Sequence, residues 1–184
     1  MKRKLIINVG SIVGVVLVSF LIVTFVLRSH KAQTAVRPQS TIQQSLASAI
    51  SKPLPTGHLV DLKGQELKAS ELTQGKVMLV LLSVDCDFCK DEGQFLKSRI
   101  DRRKDMRFYG VISFGEKRDL IPASERFPFS VYFDDGGRIR DALGIDRAPV
   151  KLYVENGIVK KTWIGSTTFH HDEKGFDEWL DSLS

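Results

Sequence analysis

The chain of 184 residues holds two cysteines, three apart, in Cys86-Asp87-Phe88-Cys89. Such a pair could exchange with a disulfide, share a metal ion, or close a small structural loop. Zinc takes about four ligands, typically a second Cys pair or a His pair. His30, His58, His170 and His171 lack that spacing, so no metal is expected. A disulfide across two intervening residues closes too short a loop to stabilise much. Thiol–disulfide exchange is the favoured chemistry, with a zinc site and a structural disulfide as lesser alternatives. It needs no cofactor beyond a redox-active Cys86–Cys89 disulfide.

The elements around the pair give that reading its force. Lys76 to Val84 (KVMLVLLSV) is a continuous apolar run of strand length, which predicts a strand buried on both faces. Phe95, Leu96 and Ile100 recur at helical spacing, so a helix is expected to begin at the cysteines. Free N–H groups and the positive end of the dipole at a helix N-terminus stabilise a thiolate. Cys86 is then the attacking thiol, and Cys89, one turn on, resolves the mixed disulfide.

The rest of the chain reads as alternating elements. His58–Leu62 predicts a strand, 66–69 its return strand, and 70–72 a helical turn. Strands are predicted at 107–114 and 130–133, with partial helix at 116–126 and a short helix at 139–143. Asn156-Gly157 between 150–154 and 158–163 is a strong hairpin signal. Residues 173–183 form an amphipathic closing helix, and His170-His171-Asp172-Glu173 predicts its capped start rather than a metal site. Together these predict a mixed α/β sheet flanked by helices.

Leu5 to Leu27 carries no charge, and about 20 apolar residues cross a bilayer as a helix. The run is long for a cleaved signal peptide and is followed by Arg28-Ser29-His30-Lys31. Residues 1–28 are therefore expected to be an N-terminal transmembrane helix, 29–55 a Ser/Gln/Pro-containing linker, and 56–184 the globular domain. Such a segment cannot bury much apolar surface and so reads as a linker, with a short helix expected over 41–50. Lys2, Arg3 and Lys4 precede the span, which favours a cytoplasmic N-terminus and an extracytoplasmic (periplasmic) domain. The formal net charge is +5. The basic run Arg99, Arg102, Arg103, Lys104, Arg107 has interspersed acids and no alternating aromatics, so no nucleic-acid partner is expected.

From Gly57 to Gly165 the chain resembles the TlpA/ResA-like thioredoxin family. The similarity is carried by VDLKGQELKASELTQGKVMLVLLSVDCDFCKDE and by FSVYFDDGGRIRDALGIDRAPVKLYVENGIVKKTWIG. It implies a thioredoxin-like fold and thiol–disulfide oxidoreductase activity. The implied partners are a protein substrate bearing thiols or a disulfide, a membrane electron donor, and membrane lipid through the anchor. Substrates implied include an apocytochrome c or another maturing disulfide. The resemblance also implies that Pro149 is cis and, with Ala148, lies against the cysteines to bind substrate backbone.

The departures from the family pattern matter. Asp85 and Asp87 flank Cys86 where Trp and Pro are common, and Asp91 and Glu92 follow. Carboxylates disfavour a nearby thiolate, so a reductant rather than an oxidant is expected. Val80 stands where the family often has a polar or acidic residue, leaving Glu66 and Asp85 as weak proton-relay candidates. Two alternatives share the fold. A peroxiredoxin-like peroxidase would need a proline at Leu79, and a non-catalytic binding module would not need the cysteine pair.

Overall fold

The computed structural model describes residues 46–55 and 58–183. The expected membrane span and residues 29–45 of the expected linker lie outside the described residues. Among the described residues, no helix is long and apolar enough to cross a membrane.

Six strands form one sheet in the order β1-β4-β3-β2-β5-β6. They are β1 (His58–Val60), β2 (Lys76–Ser83), β3 (Met106–Phe114), β4 (Ser130–Asp135), β5 (Val150–Glu155) and β6 (Ile158–Ile164). The helices are α1 (Ala69–Thr73), α2 (Asp87–Arg102), α3 (Leu120–Arg126), α4 (Arg138–Ala142) and α5 (Glu173–Ser182). β2 runs parallel to β3, and β3 to β4, whereas β5 is antiparallel to both β2 and β6. The predicted return strand at 66–69 is reduced to one bridge, Val60 to Glu66, because Ala69 already begins α1.

The pleat of β2 divides the core. Val77, Leu79 and Leu81 join one apolar cluster with Leu143, Ile145 and Leu152. Met78, Val80 and Leu82 point the other way, into a cluster with Cys89, Phe95, Leu96 and Phe176. Successive strand residues face opposite sides, so a run without polar interruptions is what two covered faces demand. Each buried Leu or Val contributes roughly 1.5–3 kcal/mol relative to exposure.

The expected linker boundary at residue 55 needs correction. Residues 46–49 are helical, and Leu46, Ala49 and Leu54 are buried in the first cluster. The backbone then runs beside β6. Ser51 N–H donates to Val159 O at 2.7 Å, Val159 N–H to Lys52 O at 3.0 Å, and Leu54 N–H to Gly157 O at 2.8 Å. A polar composition concealed three apolar side chains whose partners come from the far end of the chain.

Candidate active site

Cys86 caps α2. Its backbone is extended, its Sγ accepts a hydrogen bond from Cys89 N–H at 3.2 Å, and its carbonyl begins the helical ladder. The abrupt change from β2 to helix leaves Cys86 half-buried at the surface. Cys89 is one turn on and fully buried beneath it. Burial pushes the Cys89 thiol well above its ordinary range, and the neighbouring Cys86 and Glu92 add to that. The two sulfurs therefore occupy unlike environments, one reachable by a partner and one sheltered.

Pro149 opens β5 from the opposite side. The Ala148–Pro149 bond is cis. Ala148 O lies 3.6 Å from Cys86 Sγ, which donates to it. Ala148 packs partly buried on the same cluster as Cys86. All four residues singled out from sequence, Cys86, Cys89, Ala148 and Pro149, thus meet at one end of the sheet, with β2 and β5 paired in register from Leu81–Val150 downward.

The two acids considered as proton relays are placed elsewhere. Asp85 is exposed, and Glu66 is an exposed partner of His58. The acid beneath the cysteines is Glu92, which sequence reasoning noted only as a flanking charge. It is fully buried and pairs with Lys151, also fully buried, at 3.0 Å. Thr167 donates twice to the same carboxylate, through N–H to Oε2 at 2.6 Å and through Oγ1 to Oε1 at 2.9 Å. Lys151 Nζ also donates to Gly165 O at 3.0 Å. Burial pulls the Lys151 ammonium below the usual lysine range, and the Glu92 carboxylate opposes that fall. The signal for Glu92 was its spacing. Cys89, Glu92, Gly93 and Leu96 recur at three and four residues and share the buried face of α2.

The pair ties three segments together: α2 with its cysteines, β5 with its cis-proline, and the turn after β6. That turn carries Phe169, which meets Phe88 from between the cysteines edge-to-face at 4.8 Å. Both rings are exposed, at 45% for Phe88 and 61% for Phe169. Asp172 stands at the N-cap of α5, but its side chain makes no capping hydrogen bond, contrary to expectation. Among the described residues, no group of three or more His, Cys, Asp or Glu is arranged to hold a metal ion.

No protein-family model matches the chain, and no curated protein matches it in sequence. Its fold has many solved counterparts. The structure of MTB dsbF in mixed oxidised and reduced forms superposes with a TM-score of 0.60 at 16% identity, covering 71% of this chain and 96% of that one. The thioredoxin domain of a thiol-disulfide oxidoreductase from Bacteroides vulgatus gives 0.57 at 18% identity, covering 72% and 98%. A secreted Mycobacterium tuberculosis disulfide oxidoreductase gives 0.53 at 14%, covering 65% and 92%. With Cys86 at the mouth of α2 and a cis-proline facing it, the chain has the thioredoxin-like fold of these thiol:disulfide interchange proteins.

Proposed function

We propose that this protein is a thiol–disulfide oxidoreductase that reduces disulfides in protein substrates. One observation carries the reading. A partly exposed Cys86 caps α2, a buried Cys89 lies one turn on, and Ala148 O of the cis-proline segment faces the Cys86 sulfur. The Cys86 thiolate attacks one sulfur of the substrate disulfide, forming a Cys86–substrate bond and releasing the other substrate sulfur as a thiolate. Cys89 loses its proton and attacks Cys86. The Cys86–Cys89 disulfide forms, and the second substrate sulfur leaves and is protonated. Two protein thiols are oxidised for one substrate disulfide reduced.

The reducing direction is supported by the buried thiol. DsbA-type oxidants owe their potential to a stabilised reduced form. Here burial disfavours a Cys89 thiolate, so that sulfur adds no such stabilisation to the reduced form. Extracytoplasmic placement on a membrane tether, fed by a membrane electron donor, is supported by the charge-free run from Leu5 to Leu27 and its basic flank. The exposed Phe88–Phe169 pair supports a protein substrate. The peroxidase alternative is less well supported, since Leu79 is buried mid-strand in β2.

Cys89→Ser tests the reading. The variant should accumulate a mixed disulfide through Cys86, and the attached protein can be identified by mass spectrometry after non-reducing electrophoresis. Cys86→Ser should capture nothing. Equal capture by both variants would remove Cys86 from its role.

A further inference from the structure

We propose that Lys151 is the positioning residue for the resolving step: its ammonium offsets the Glu92 carboxylate beneath Cys89 and so lets the Cys89 thiolate form. This rests on the oxidoreductase reading above and adds a residue and a step to it. Apolar Val80 and Leu82 leave β2 without a charge beneath the cysteines, its one lysine, Lys76, standing at the far end of the strand. The buried charges come instead from α2 and β5, where Glu92 and Lys151 meet at 3.0 Å.

The groups around this pair come from every element packed on it. Glu92 and Cys89 face it from α2, and Arg99 lies about two turns further along. Thr167, His170 and Asp172 belong to the turn after β6, and Arg147 precedes the cis-proline. Lys151 lines a cleft of about 560 Å³ with the last three of these. Arg147 is engaged by its neighbour Asp146 at 3.2 Å. Lys151 is thus the cation held directly against the Glu92 carboxylate.

The chemistry follows from sign. When Cys89 gives up its proton, negative charge appears on a buried sulfur one helical turn from Glu92. A bare carboxylate there opposes the thiolate. A paired one presents nearly cancelled charge. A nearby charge moves a pKa by roughly 1–3 units. A thiol that is one unit harder to ionise supplies about tenfold less thiolate. That thiolate is about threefold more nucleophilic, so the net loss is about threefold per unit.

Reaction of the reduced full-length protein with dithiobis-nitrobenzoate separates the steps. The first chromophore is released as Cys86 attacks. The second is released as Cys89 resolves the adduct. Followed by stopped flow from neutral to mildly alkaline pH, Lys151→Met should lower the ratio of second to first rate by about threefold or more. Glu92→Gln with Lys151→Met removes both charges and should restore the ratio to near its original value. A purely structural role would shift both rates together and leave their ratio where it was in the unaltered protein. An unchanged ratio in Lys151→Met, or no recovery in the double variant, overturns the proposal. Should Lys151→Met fail to fold, Lys151→Gln decides: it removes the charge but keeps a polar side chain beside Glu92, must lower the ratio likewise, and an unlowered ratio overturns the proposal. Absence of a second release in the unaltered protein would instead count against the oxidoreductase reading.

Discussion

Gly93→Ala sets helix propensity against packing in the helix that carries both cysteines. Gly93 lies in the interior of α2 on its buried face. Alanine is favoured over glycine in a helix by about 0.8–1.0 kcal/mol, so local preference alone predicts a gain. A Cβ at this position would lie 2.6 Å from Phe127 Cδ1 and 3.1 Å from its Cε1. Phe127 has little room to retreat, being 5% exposed and stacked on Phe129 with centroids 5.9 Å apart and rings 2° from parallel. Overpacking of this kind costs roughly 1–3 kcal/mol. The expected outcome is a net loss of about 1 kcal/mol, read as a lower urea midpoint with an unchanged slope. The sign should reverse in a Phe127→Leu background, where the ring edge is gone and the propensity gain is left. The coupling between the two sites, about 2 kcal/mol, is well above the few tenths typical of independent ones. Stabilisation by Gly93→Ala alone, or the same loss in both backgrounds, would refute the packing account.

Removing one member of the buried pair with Lys151→Met should destabilise the protein by about 3–5 kcal/mol, while Glu92→Gln with Lys151→Met should cost far less, both measured by chemical denaturation. Phe169→Ala should raise KM for a protein disulfide by roughly three- to tenfold while leaving turnover of a small aromatic disulfide unchanged, consistent with about 0.5–1.5 kcal/mol for an aromatic contact. Arg99 and Arg103 hold Asp177 and Asp105 below the ordinary carboxylate range. Their folded values lie below their unfolded ones, so this stability is present above about pH 4 and is lost as pH falls through the folded values. An acid titration of the unfolding free energy should show that loss, and Asp177→Asn should remove part of it. A chain beginning at residue 56 forfeits the burial of Leu46 and Leu54 and should be less stable by about 3–6 kcal/mol, detectable as an earlier denaturation midpoint.

What was legible in the sequence follows the range of the interactions concerned. β2, α2 and the β5–β6 hairpin are marked by local patterns, namely an unbroken apolar run, helical spacing and Asn156-Gly157, and each formed where those patterns placed it. The cysteine pair and Pro149 were equally visible. Glu92 and Lys151 were harder because each is ambiguous alone. A glutamate on a charged helix reads as solvated, and a lysine within Val150–Val154 reads as an interruption. Only their meeting across the fold makes either one buried. The segment 46–55 illustrates the same limit, since Leu46, Ala49 and Leu54 acquire a core only when β6 arrives more than a hundred residues later. Asp172 shows the converse: the right residue type stands at the N-cap, but its side chain makes no cap.

The run of residues 51–54 along β6 has a further consequence. β6 ends the sheet on that side, and an open edge strand is a template onto which another chain can add. The hydrogen bonds from Ser51 and Leu54, the acceptance at Lys52 O and the bridge from Pro53 to Ile158 occupy that template over its first residues. Proline there has no N–H to offer a newcomer. The stretch that leads into the domain is thus also its guard against edge-to-edge self-association. Losing it should make the protein associate more strongly as its concentration rises.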